Sequence, residues 1–372
     1  MKHLALLALA MLAIAAGCKS GADRSAVAVI PQADTDSVAS PALPDTLSIA
    51  LAGDIMMGTT FPDSLAGLYL PPNGGREVFA DAAPIFRSCD VACANLEGVF
   101  MAPGGTPRPM TNPKTYFIFR MPPEYAGLLV DAGIDFVSIA SNHTNDLTDG
   151  GRESTRRILD SVGVAYAGHK GICESVVLER AGRKMGIAAF GHADNTLHLW
   201  EYDDVHRIVS QLDSVADIVI VSFHGGAEGT DYTHVPFEQE TYVGENRGNV
   251  AEFARLCVDC GADVVYGHGP HVTRGLELYR DRLIAYSLGN FCTPVRLGIG
   301  GLCGHAPLVT VNVDSQGRFL SGKIHSMIQR HGLGPCIDTA HAVAAQMAAL
   351  SRADFPASQL QISADGTLSS AQ

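Results

Sequence analysis

Short apolar runs that stop abruptly at polar, metal-competent residues dominate the pattern of this chain. Leu47–Ala52 ends at Gly53-Asp54, and Val91–Ala94 at Asn95-Leu96-Glu97. Phe136–Ala140 ends at Ser141-Asn142-His143, Ile218–Phe223 at His224, and Ala262–Gly267 at His268-Gly269-Pro270-His271. Segments with helical spacing lie between and around these runs: Val78–Ser88, Pro123–Ala132, Gly150–Val162, Val205–Ser214 and Gly248–Cys260. Strands alternating with helices predict sheet structure covered by helices on its faces. In such folds ligands collect outside the carboxyl ends of the strands, so the five endings are expected to converge on one site. Ser175–Glu179, turning through Ala181-Gly182-Arg183 into Met185–Phe190, predicts a hairpin. After Gly289 the strand-like pieces Leu308–Val313 and Gly322–Met327 predict antiparallel additions, and the Ala-rich Ala340–Leu350 a peripheral helix.

The N-terminus follows a different logic. Lys2, the apolar Leu4–Ala16 and the small residues before Cys18 read as an export signal, too short for a comfortable membrane span. Cys18 after Ala15-Ala16-Gly17 resembles the lipidated cysteine of a bacterial lipoprotein; the alternative is an ordinary secretory peptide with an incidental cysteine. The Ala-, Ser-, Pro- and Asp-rich stretch 19–45 is expected to be a flexible tether. The folded domain is then expected over 46–335, with a C-terminal helix and tail over 336–372. This organisation predicts an exported, membrane-anchored lipoprotein of the cell envelope, periplasmic or at the cell surface.

Charge restricts the partners. The 372 residues carry a formal net charge of −13, with 17% charged side chains and no basic run. Nucleic-acid binding through phosphate neutralisation is excluded on that basis. An anionic ligand would have to be held by metal or backbone groups rather than by a basic surface. Cys257 and Cys260 have half the spacing of a zinc knuckle but no second pair completes it, so both are expected to be buried packing residues of a helix. Cys292 and Cys303 bracket a Gly-rich loop and are candidates for a disulfide in an exported chain.

The strand endings supply Asp54, Asn95, Glu97, Asn142, His143, His224, His268 and His271. Each has an ordinary structural explanation when taken singly: a turn aspartate, a strand-end pair, a helix cap, a core histidine. Jointly they are hard oxygen and imidazole donors without cysteine, the set suited to a hydrolytic metal centre with one ion or with two ions ~3.5–4 Å apart. Asp146, three residues past His143, can orient that ring. Gly269-Pro270 prevents His268 and His271 from sharing a helix face, so the two rings can address different neighbours. The remaining histidines, His192 among them, are expected to be surface or core residues.

Five blocks carry a resemblance: Gly53-Asp54-Ile55-Met56-Met57-Gly58, Ala94-Asn95-Leu96-Glu97-Gly98, Ser141-Asn142-His143, Gly267-His268-Gly269-Pro270-His271-Val272 and Tyr286-Ser287-Leu288-Gly289-Asn290-Phe291. In this order they resemble the bacterial capsule synthesis protein CapA family, associated with poly-γ-glutamate biosynthesis and export. The resemblance implies a calcineurin-like metallophosphoesterase fold, a four-layered αββα sandwich. It further implies a divalent metal, Mn, Fe or Zn, with Asn142, His224 and His268 around one ion. Asp54, Glu97 and His271 would hold or flank a second, with Asp54 as the candidate bridge. His143 would be the general acid, steadied by Asp146, with Asn95 and Asn290 on the substrate side. The implied partners are an anionic polymer or phosphoester substrate and a capsule synthesis and export complex. Met56 stands where the wider superfamily's first block has histidine, and Gly225 stands where CapA-like sequences carry an aromatic residue after the histidine matching His224. The alternative reading is therefore a non-catalytic, polymer-binding or assembly subunit that keeps the fold.

Overall fold

The computed structural model describes residues 45–60, 68–109, 116–295 and 298–371. The expected signal segment, Cys18 and the tether up to residue 44 lie outside them. Two sheets are built from the predicted apolar runs. The larger runs, edge to edge, through Leu360–Ile362, Thr367–Ser370, Phe319–His325, Leu308–Asp314, Thr46–Ile55, Val91–Leu96, Phe136–Ser138 and Ala165–Ala167. Asn290–Cys292 joins it beside the C-terminal end of Thr46–Ile55, parallel to that strand. The smaller sheet runs through Leu276–Tyr279, Arg282–Ala285, Val264–His268, Ile218–His224, Arg183–Phe190 and Ser175–Arg180.

Alternation along each central strand explains the layering, because successive side chains point to opposite faces. Leu47, Ile49 and Leu51 face Ile187, Ile220, Val264 and Tyr266 in a core between the two sheets. Ala50, Ala52, Ala92 and Ala94 face outward and meet Phe86, Ala126, Leu129 and Leu159 from the helical layer. On the other side, Val219, Val221, Phe223 and Val265 pack against Val205, Ile208, Phe253 and Ala254. Those last four residues come from the helices Tyr202–Asp213 and Val250–Asp259. Strands buried on both faces read as continuous apolar runs. The result is the expected four-layered αββα sandwich.

The hairpin forms as predicted, Ser175–Arg180 pairing antiparallel with Arg183–Phe190, and the antiparallel additions are Leu308–Asp314 and Phe319–His325. Several expectations are corrected. Val78–Ser88 contains only the short helix Ala83–Phe86, preceded by turns and opened by Ala83-Pro84. The Ala-rich helix is not peripheral: over Ala342–Asp354 it inserts Val343, Ala344 and Met347 into the core between the sheets. The chain after it does not trail away, since Leu360–Ile362 and Thr367–Ser370 extend the larger sheet. Finally, Cys292 and Cys303 are free thiols, Cys292 being fully buried beneath the Val78 carbonyl. Cys257 is buried as expected, whereas Cys260 closes its helix and meets His206 Nδ1 at 3.0 Å. Among the described residues no helix is long and apolar enough to cross a membrane.

Candidate metal centre

Parallel pairing brings the strand endings to one edge of the sandwich. Asp54 lies beside Asn95 on one flank and Asn290 on the other, and Asn95 lies beside Ser138. In the facing sheet His224 and His268 occupy the same rung. Gly53 makes the first ending possible: a Cβ there would stand 2.0 Å from the Gly289 carbonyl, the group that accepts the Asp54 N–H at 2.9 Å. At the last ending the turn Gly269-Pro270 leaves His271 with φ 58°, a left-handed conformation that a non-glycine residue rarely adopts.

Asp54, Glu97, His224 and His268 are essentially solvent-free. Asn95 Nδ2 donates to Asp54 Oδ1 and to Glu97 Oε2, both at 2.8 Å, and so holds two carboxylates together. His224 Nδ1 and His268 Nδ1 face each other at 3.0 Å, with Glu97 Oε2 3.5 Å from the former and Asp54 Oδ1 3.8 Å from the latter. Ligand atoms of Asp54, His224 and His268 all lie within 4.8 Å of one another. Burial, reinforced by the Asp54 charge, pushes Glu97 up to about 7. Burial likewise drives both imidazoles toward the neutral form, His268 down to about 4 and His224 well below its usual range. Neutral imidazole is the metal-ligating form. Glu97 Oε1, Asn142 Oδ1 and His224 Nε2 are buried without a hydrogen-bond partner. Buried oxygen and nitrogen donors seldom go unpaired, so the residues present fit a divalent cation.

His143 and Asp146 sit alongside. Ser141 caps the short turn Asn142–Asn145 by accepting the His143 N–H at 2.9 Å. His143 Nδ1 donates to Asp146 Oδ2 at 2.7 Å, and the ring stacks on Phe119 with centroids 4.0 Å apart. Its Nε2 points toward Glu97 Oε1 at 4.0 Å. Burial opposes a charge on this ring, but Asp146 and Glu97 outweigh it and raise its proton affinity. Asp146 is itself fixed by the Phe119 N–H at 2.6 Å and by Arg108 Nε at 3.0 Å.

Other expected residues have more specific positions. His271 Nδ1 bonds to Asp54 Oδ2 at 2.9 Å and lies 3.1 Å from Asn290 Oδ1. Burial disfavours its charge, yet the Asp54 bond and Glu228 hold it protonated, up to about 10. Asn290 uses both ends of its amide around this loop, also donating to the His271 carbonyl at 3.3 Å. Gly225 leaves no open cleft, because the Arg247 carbonyl and Leu199 occupy the space beside it. His192 is buried, within the surface-or-core expectation, but its neighbours are those of the cluster. It stacks on His224 at 5.4 Å and donates from Nδ1 to the His224 carbonyl at 3.2 Å. The signal was present, since Met185–Phe190 is an apolar run ending in Gly191-His192.

A four-layered αββα sandwich with a buried, mixed carboxylate–imidazole cluster at its strand ends defines the class of protein. The family model described as bacterial capsule synthesis protein PGA_cap matches residues 48–294, and the chain belongs to that family. The PGA biosynthesis protein CapA of Bacillus subtilis (strain 168) is 28% identical over 270 residues, 66% of this chain and 63% of that protein. The capsule biosynthesis protein CapA of Bacillus anthracis is 24% identical over 267 residues, 66% of this chain and 60% of that one. The chain therefore spans less than two thirds of the length of these relatives. Among solved structures, the calcineurin-like phosphoesterase YfkN from Bacillus subtilis aligns at 11% identity over 76% of this chain and 90% of that one, with a TM-score of 0.37.

Proposed function

We propose that this protein acts in the cell envelope, anchored through a lipid on Cys18, in the biosynthesis and export of poly-γ-glutamate or a related surface polymer. In this reading its buried cluster is a metal-dependent, phosphoesterase-like hydrolytic site, and its partners are the capsule synthesis and export machinery. The observation that carries the reading is the convergence of Asp54, Glu97, His224 and His268 beside a His143–Asp146 pair. Asp54, Glu97, Asn142, His224 and His268 would hold a divalent ion, with Mn, Fe or Zn matching their oxygen and imidazole donors. When bound, such an ion polarises a phosphoryl oxygen and supplies positive charge where negative charge develops.

The side chains of this protein divide the remaining work. Asn95 keeps the two carboxylates in register, and His271 with Asn290 buttresses Asp54 from the open side. In hydrolysis the bond between phosphorus and the ester oxygen breaks, water supplies the hydroxyl that phosphorus gains, the departing oxygen takes the proton of His143 Nε2, and the second proton of the water restores that ring. Asp146 holds the opposite ring nitrogen, so only Nε2 is free to deliver a proton.

Turnover of a generic phosphodiester by the purified chain in Mn²⁺ or Zn²⁺, lost in His143→Ala, tests the reading. No turnover in any divalent metal would overturn it. A second reading, a polymer-binding assembly subunit without turnover, draws on Met56. That residue is fully buried and offers only a soft thioether where the superfamily has an imidazole. It predicts capture of polyglutamate that persists in His143→Ala, together with no stoichiometric metal by elemental analysis.

A further inference from the structure

Beyond Asn142 the cluster opens into a cavity of ≈ 470 Å³ to which the hydrolytic reading assigns no role. Its walls carry unspent hydrogen-bonding capacity. His192 gives its Nδ1 proton to the His224 carbonyl, which leaves Nε2 a bare acceptor, buried and without a hydrogen-bond partner. Asn142, whose Oδ1 the hydrolytic reading gives to the metal, marks where the cavity meets the cluster. Across the cavity stands Trp200, the only tryptophan of the chain, stacked on His198 with centroids 4.5 Å apart and planes at 25°.

Charge narrows what can enter. Two carboxylates, Asp194 and Glu245, line the cavity, the second 3.2 Å from Arg247 Nη2. Among the described residues the cation of the lining is Arg108, two of whose nitrogens are engaged: Nε donates to Asp146 and Nη2 to the Phe117 carbonyl at 3.2 Å. A ligand with a carboxylate on every unit would meet two acids there and, among the described lining residues, a guanidinium that already holds Asp146. A ring bearing several neutral hydroxyls matches far better. Carboxylate, amide and imidazole acceptors take hydroxyl protons, and amide nitrogens such as that of Asn246 return them. An indole face covers the apolar C–H face of such a ring. The cavity also connects with the proton donor, because Asn142 precedes His143 and Arg108 shares Asp146 with it.

We infer that this cavity binds a neutral sugar ring, the alcohol half of a sugar phosphoester whose phosphate lies at the Asp54–His268 cluster. The phosphate half rests on the hydrolytic reading above; the sugar half rests on the cavity alone. A single tryptophan at the site makes the test direct. Trp200 emission of the full chain, with a chelator present so that no turnover occurs, is titrated with maltotriose, cellotriose, an N-acetylglucosamine trimer and a γ-linked glutamate trimer. At least one saccharide gives a saturable emission shift, and the glutamate trimer gives none. Asn246→Ala and His198→Ala, checked for folding by circular dichroism, each weaken the saccharide about fivefold or more, the loss expected for one hydrogen bond or one stacking partner. A shift with the glutamate trimer that equals or exceeds that of every saccharide overturns the inference. So does silence with all three saccharides, or affinity unchanged in both variants. Saccharide binding in a protein that hydrolyses no phosphoester would retain the sugar site and remove the hydrolytic reading, so the two failures are distinguishable.

Discussion

Metal affinity should depend on pH in a way that counts the ligands. Glu97 is pushed up to about 7 in the metal-free cluster, so below that pH it carries a proton that an incoming cation must displace. His268, at about 4, and His224, lower still, are already neutral across the working range and release nothing. Affinity therefore falls as pH drops below 7, about tenfold per unit. At pH 5 the loss is about a hundredfold, or ~2.7 kcal/mol at ~1.36 kcal/mol per unit. Above 7 the outcome turns on His271. Its Nδ1 is committed to Asp54, and as a ligand it would have to surrender a proton held up to about 10. We expect it to flank the ion, which predicts a flat affinity from pH 7 to 9. Competition for Mn²⁺ against a chromophoric chelator, corrected for the chelator's own protonation, measures both limbs. Glu97→Gln should weaken binding and abolish the lower slope. A lower slope that survives this substitution refutes the assignment of the proton to Glu97. A continuing rise above 7 that disappears in His271→Gln refutes the flanking role.

Other outcomes follow from individual contacts. His143→Ala should lower kcat by about 10²–10⁴-fold while leaving metal content unchanged, since general acid catalysis has that magnitude; loss of metal would show that the ring is a ligand instead. Gly53→Ala drives a Cβ into the Gly289 carbonyl, so a loss of about 2 kcal/mol or more is expected, read as a lowered denaturant midpoint. Arg274 is fully buried and paired with Glu240 at 2.7 Å. Arg274→Met alone should cost about 3–5 kcal/mol by stranding that carboxylate, and Arg274→Met with Glu240→Leu should recover most of it, as a thermal melt would show.

The site was legible to the degree that it is a property of strand endings. Parallel strands deliver their last side chains to one edge, so an apolar run followed by Asp, Glu, Asn or His carries spatial information that a lone motif does not. Asp54, Glu97, His224 and His268 meet for that reason, and His192 belongs to the same rule. A hairpin pattern does not show a third neighbour, yet Arg183–Phe190 also pairs parallel with Ile218–His224 and ends on the same edge. Periodicity does not report how many neighbours a strand has. The C-terminal region escaped for a related reason. An Ala-rich helix shows little contrast between its faces, so nothing in the spacing of Val343, Ala344 and Met347 says that one side closes the core between two sheets. The cavity beyond Asn142 was also invisible. Its lining comes from the turn at Ala193–Asp194 and from Glu245–Asn246, the start of a short hairpin strand outside both large sheets. On the proposed reading the metal ligands lie at the ends of the central strands, whereas the cavity is lined by elements outside both large sheets. The cluster and the cavity should therefore separate under mutation: Asn246→Ala should alter which alcohol is accepted without changing metal content, and Glu97→Gln should do the reverse.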